Sequence, residues 1–112
     1  MKTNNTSIVI ADSSTVGRLG LNAIINQMEG FNVVGEAENS EDVISLINSE
    51  SPSLVIIDFL SDGFDIETVM KIKRKFPKIY LLAITPLQNG NTLINASRAG
   101  IDSYIKKSCD MP

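Results

Sequence analysis

Five short apolar runs alternate with helix-period segments, and that alternation constrains the fold of this chain more tightly than any other feature. Residues 7–11 (SIVIA) are a continuous β-branched run, the pattern of a strand buried on both faces. The cluster Asp12-Ser13-Ser14-Thr15 supplies capping residues, and Leu21, Ile24, Ile25 and Met28 then recur at i, i+3, i+4, i+7. That spacing predicts a first helix over about 15–28, stopped by Gly30. Residues 31–37 (FNVVGEA) read as a second strand, and Asn39 or Ser40 caps a helix with Val43, Leu46 and Ile47 on its inner face. After Pro52, residues 54–57 (LVII) form the most buried-looking strand, which runs straight into Asp58. A loop over 60–65 precedes a helix carrying Ile66, Val69 and Met70 that ends before Pro77. Residues 79–84 (IYLLAI) make a fourth strand, closed by Thr85-Pro86, because the residue before a proline favours extended backbone. Residues 88–92 read as polar loop, a short helix runs to Ala99 with Gly100 as its stop, and 103–107 is a fifth strand.

Strands alternating with helices make parallel β-α units, so the expected fold class is α/β, a doubly wound five-stranded parallel sheet in one domain. The chain runs five residues past the fifth strand, so the last helix is missing from the pattern and one sheet face is expected to lack cover.

Composition removes several chemistries. With no His among 112 residues, imidazole-based zinc sites, Ser-His or Cys-His nucleophile pairs and a His general base are excluded. Cys109 is the sole cysteine, which excludes an internal disulfide framework and makes a reducing, cytoplasmic setting the expectation. A net charge of −3 speaks against a nucleic-acid module. The apolar runs are far too short to span a membrane. The basic stretch Lys71-Ile72-Lys73-Arg74-Lys75 reads as a solvated helix end complementing the helix dipole, in preference to a nucleic-acid contact.

In an open parallel sheet, ligands bind at the carboxyl ends of the strands. There this sequence places Asp12 after strand one, Asp58 after strand three, Thr85 after strand four and Lys107 after strand five. Asp12 taken alone has the look of a helix cap, and Thr85 that of a β-former; their convergence is what points to a site. Two acids held close repel, and a hard cation such as Mg²⁺ neutralises them with few protein ligands and several waters. A hydroxyl and an ammonium beside them suit an incoming phosphoryl group, with a carboxylate as acceptor.

The sequence resembles the receiver domain of two-component response regulators, LuxR-type branch. IVIAD at 8–12, Arg18-x-Gly20, VVGEA at 33–37, LVIID at 54–58, LLAIT at 81–85 and Arg98-Ala99-Gly100-Ile101-Asp102-x-Tyr104 through Lys107 carry the likeness, in order and at family spacing. The resemblance implies a flavodoxin-like sandwich with strand order 2-1-3-4-5. It implies that Asp58 accepts the phosphoryl group and that Asp12, Asp58 and the Leu60 backbone carbonyl hold Mg²⁺. Thr85 and Lys107 would contact the phosphoryl group, and Tyr104 would reorient when Thr85 moves. The chain as a whole, residues 1–112, is then expected to be one receiver domain clipped after the fifth strand, a signalling protein whose only catalysis would be its own phosphorylation and dephosphorylation. A sensor histidine kinase is the implied donor, transcription the implied output, and DNA contact belongs to an output domain this chain does not carry.

Departures from the family pattern define the alternatives. Ser13 replaces the second acid after strand one, so weaker Mg²⁺ binding is expected, and Pro86 brings no N–H to a position that normally offers one. Ser61-Asp62-Gly63 replaces the usual Met-Pro of the loop, and a one-residue shift in register would make Lys106 the functional lysine in place of Lys107. A degenerate receiver acting as a phosphorylation-independent dimerisation or docking module, homodimer included, is therefore the competing expectation. A flavin-binding reading of Ser13 to Gly17 is weaker, since 5% aromatics and no Trp leave little to sandwich the ring.

Overall fold

A computed structural model describes residues 5–59, 64–85 and 90–106. The elements are β1 (Thr6–Ala11), α1 (Thr15–Asn26), β2 (Phe31–Ala37), α2 (Ser40–Glu50), β3 (Leu54–Asp58), α3 (Ile66–Lys75), β4 (Tyr80–Thr85), α4 (Gly90–Ala99) and β5 (Ser103–Lys106). All strand pairs are parallel and the sheet order is β2-β1-β3-β4-β5, the expected doubly wound arrangement.

Strand alternation divides the core into two. Val9, Ala11, Val55, Ile57, Leu81 and Ala83 point to one face, where they meet Val43 and Ile47 of α2, Val69 and Ile72 of α3 and Ala96 of α4. Ile8, Ile10 and Ile56 point to the other, where Ile25 of α1 packs with Leu21, Val33, Leu54, Leu82 and Ile84. Ile84 pairs with Ile105 on β5, and Ile105 is 54% exposed, so cover is thin at that end of the second face. The helices begin at side-chain caps: Ser14 accepts from Gly17 N, Asn39 from Asp42 N and Asp65 from Thr68 N. Gly30, at φ +88°, makes the left-handed turn out of α1, which a side chain would disfavour.

Four local expectations need correction. The inner face of α1 is the stripe Arg18, Leu21, Ile25, and not one shared with Ile24 and Met28, which are 60% and 46% exposed. Arg18, near the start of the helix, lies on that stripe, held by the Asp12 carbonyl and Glu36. Met70 is exposed, because α3 turns Thr68, Val69 and Ile72 inward. Helix α4 starts at Gly90, inside the stretch expected to be loop, so a polar sequence is helical there. Lys73 is not a solvated helix-end charge: its Nζ lies 2.7 Å from Asp102 Oδ2 and donates to the Ile79 carbonyl, tying α3 to the β4 and β5 entries.

Candidate functional site

Parallel strands bring their carboxyl ends to one edge, and register decides which residues meet there. Ala11 at the end of β1 pairs with Ile57 of β3, so the residues that follow, Asp12 and Asp58, emerge next to each other at the carboxyl edge. Both are nearly enclosed, Asp12 at 2% exposure and Asp58 at 8%. Ile84 pairs with Asp58, and one residue further Thr85 pairs with Lys106, which places the ends of β4 and β5 on the same edge. Pairing of Ala83 with Tyr104 puts Tyr104 on the same sheet face as the Thr85 position, two residues on from Ala83. Tyr104 itself is half-exposed. Leu60, Pro86 and Lys107 lie outside the described residues, as do Ser61, Asp62 and Gly63.

Asp12 is held from two sides. Its Oδ1 accepts the Ser14 N–H at 2.8 Å, while its backbone carbonyl accepts from Arg18 Nη1, also at 2.8 Å. The carboxylate rests against the backbone of Gly17, where a Cβ would come within 2.9 Å of the Asp12 Cγ. Arg18, buried to 9% exposure, is gripped in turn by Glu36 of β2 at 3.4 Å and more distantly by Glu38, just beyond β2, at 3.7 Å. Glu36 also accepts from Asn22 of α1. Phe59 and Phe64 are both fully buried, and Asp65 caps α3. The backbone N–H of Thr68 holds the Asp65 carboxyl below its ordinary value of 3.8, and Thr68 Oγ1 bridges Asp65 Oδ1 to Ser40 Oγ.

Two adjacent buried carboxylates cost free energy unless positive charge compensates them. Among the described residues there is no cluster of three or more metal-ligating side chains. Two carboxylates fit an Mg²⁺ ion, which keeps most of its waters and takes one or two protein acids. Asp12 and Asp58 could hold it.

A family model for the response regulator receiver domain matches residues 8–112. The chain belongs to the response regulator receiver family. Among curated relatives, this receiver is 28% identical over 102 residues to the response regulator protein VraR of Staphylococcus epidermidis, covering 90% of this chain and 49% of that protein. VraR of Staphylococcus aureus matches at the same identity and coverage, so the chain spans about half the length of the curated relatives it matches. Among solved structures it is similar to a LuxR-family two-component response regulator from Aurantimonas sp. SI85-9A1, with a TM-score of 0.86, 25% identity and coverage of 96% of this chain and 77% of that one. The isolated receiver domain of RcsB from Salmonella enterica, solved with a phosphomimetic beryllofluoride, gives a TM-score of 0.84 at 29% identity over 93% of this chain and 78% of that one. The response regulator domain of Thermotoga maritima CheB shares the fold, with a TM-score of 0.86 at 23% identity over 95% of this chain and 81% of that one. Receiver domains generally bind Mg²⁺ at their acidic site, and they are signalling proteins.

Sequence reading identified Asp12 and Asp58 but gave no role to Arg18, Gly17 or Glu36. One signal was available: Arg18 lies at i, i+3, i+7 with Leu21 and Ile25, so it falls on the apolar stripe, where an arginine requires partners.

Proposed function

We propose that Asp58 accepts a phosphoryl group from the phosphohistidine of a sensor histidine kinase and that the charge it gains drives a conformational switch. The side-by-side placement of buried Asp12 and Asp58 at the carboxyl edge of β1 and β3 is the observation that carries this reading. An Asp58 carboxylate oxygen attacks phosphorus, the P–N bond to the donor imidazole breaks, and the imidazole leaves with the bonding pair. Asp12 keeps a second negative group beside the acceptor, so cation binding and phosphoryl entry are coupled. Lys107 is the proposed charge partner of the phosphoryl group, with Lys106, which pairs with Thr85 in the sheet, as the alternative. The Thr85 position stands two residues beyond Ala83, the strand partner of Tyr104, and the proposed switch is a Thr85 hydroxyl that follows the phosphoryl group and a Tyr104 ring that follows the hydroxyl. Transcriptional output through a separate DNA-binding domain, cytoplasmic residence and a single receiver unit over residues 1–112 belong to the same proposal.

Incubation with acetyl phosphate, followed by intact-protein mass measurement, tests it. A gain of one phosphoryl group (about 80 Da) that needs Mg²⁺ and is lost in Asp58→Asn supports the reading. No gain in a folded sample refutes it. Ser13 and the exposed Val16 and Leu19 on α1 favour the second reading, a docking or dimerisation module indifferent to phosphate. Association unchanged by Mg²⁺ and beryllofluoride would select that one.

A further inference from the structure

The geometry points to Arg18 as a positioning residue for the acidic pocket, setting its cation affinity through the Asp12 backbone. This inference rests on the proposed phosphoryl site and adds a residue to it. Arg18 does not face Asp58; it acts one step back. Its Nη1 donates to the Asp12 carbonyl at 2.8 Å, Nη2 lies 3.3 Å from Thr15 Oγ1, and Nε faces Glu36 Oε1 at 3.4 Å. The guanidinium therefore joins three pieces of chain: the residue after β1, the first turn of α1 and the end of β2. A planar fork with five donors can make that bridge, whereas a lysine ammonium reaches only part of it. Burial matters as much as geometry. At 9% exposure the Arg18 charge is compensated by Glu36 and by the Asp12 carbonyl, so loss of the guanidinium leaves that carbonyl short of a donor.

The consequence runs to the carboxylate. Asp12 Oδ1 is pinned by the Ser14 N–H and its side chain lies against Gly17, so a shift of the Asp12 carbonyl moves the whole Asp12 to Gly17 segment. Ser13 adds nothing anionic here, which leaves Asp12 as the acid that this loop contributes. Outer-shell residues that fix ligands typically change metal affinity by about 10- to 100-fold, and Arg18 stands in that relation to Asp12.

Mn²⁺ serves as the probe, with free ion measured by electron paramagnetic resonance. Arg18→Met should weaken Mn²⁺ binding by about tenfold or more. It should also raise the Mg²⁺ concentration needed for half-maximal phosphorylation by acetyl phosphate, while the acetyl phosphate KM at saturating Mg²⁺ stays within about twofold. Glu36→Gln, which loosens the grip on Arg18 without touching Asp12, should shift Mn²⁺ affinity the same way by less. Faster hydrogen exchange at the Ser14 amide in Arg18→Met would report the loosened loop without any metal. Ile25→Val, on the same helix stripe, is the stability control and should leave Mn²⁺ affinity unchanged. Wild-type Mn²⁺ affinity in a folded Arg18→Met protein would overturn the positioning role while leaving the phosphoryl site intact. An equal loss in Ile25→Val would overturn it too, by showing a general effect of destabilisation. A wild type that binds no Mn²⁺ and gains no phosphoryl group would overturn both readings.

Discussion

Two glycines three residues apart on α1 offer a test of how tightly Asp12 is seated. A Cβ added at Gly20 meets nothing within 4 Å, whereas one at Gly17 comes within 2.9 Å of Asp12 Cγ and closer still to Oδ2. Both positions lie within the helix at ordinary negative φ, so replacement by alanine gains about 0.5–1 kcal/mol of helix propensity in each. That gain cancels in the comparison, and the difference between the variants isolates the steric cost at Gly17. Asp12 cannot swing away cheaply, since Oδ1 holds the Ser14 N–H and the residue is 98% enclosed by its 2% exposure. Overpacking of a buried site costs about 1–3 kcal/mol, so Gly17→Ala should be less stable than Gly20→Ala by that amount. For a domain of this size the gap is about 4–12 °C in Tm, with Gly20→Ala a few degrees above wild type. Far-UV circular dichroism melts and urea titrations at equal m would read it. Equal stabilisation by both substitutions, with Mn²⁺ affinity intact in Gly17→Ala, would mean that the carboxylate is free to move and that the seating of Asp12 has been misread.

Other substitutions probe the frame around the site. Asp65→Ala should lose about 1 kcal/mol in urea melts by removing the α3 cap. Because the folded Asp65 carboxyl is depressed below 3.8, its contribution is complete above the unfolded value and fades as pH falls through the folded one, so Asp65→Asn should keep most of the cap and flatten the stability loss below about pH 4. Asp102→Ala should cost about 1–3 kcal/mol, more than Lys73→Met, since Asp102 Oδ2 accepts both Lys73 Nζ and the Leu81 N–H; urea melts of the two variants would rank them. Ser13→Asp restores a second acid to the β1–α1 loop and should strengthen Mn²⁺ binding by about tenfold, checked by the same resonance titration.

What was legible in the sequence follows from which residues had only one physical option. The run 54–58 could bury its apolar side chains only in a central strand, and the strand direction then carried Asp58 to the sheet edge beside Asp12. Helix faces were less legible. Ile24 and Met28 fit the periodicity of α1 as well as Leu21 and Ile25 do, and periodicity alone does not pick between the two rotations. Gly90 to Thr92 lacks helix formers, so no local propensity marked the start of α4. Ion pairs between distant segments, such as Lys73 with Asp102, need register information that periodicity does not hold.

Lys73 and Arg18 brace opposite ends of the sheet, and what each one holds bears on function. At the entry edge of β4 and β5, the Lys73 ammonium sits between the Asp102 carboxylate and the Ile79 carbonyl, a matched set that braces α3 against the sheet. At the carboxyl edge of β1 and β3, two nearly enclosed carboxylates stand together, and Arg18 spends its charge on Glu36 and a backbone carbonyl. Arg18 ties the residue after β1 to the first turn of α1 and to the end of β2. A receiver that takes a cation at this edge needs a steady backbone under Asp12, and the Arg18 bridge from the Asp12 carbonyl to Glu36 supplies it.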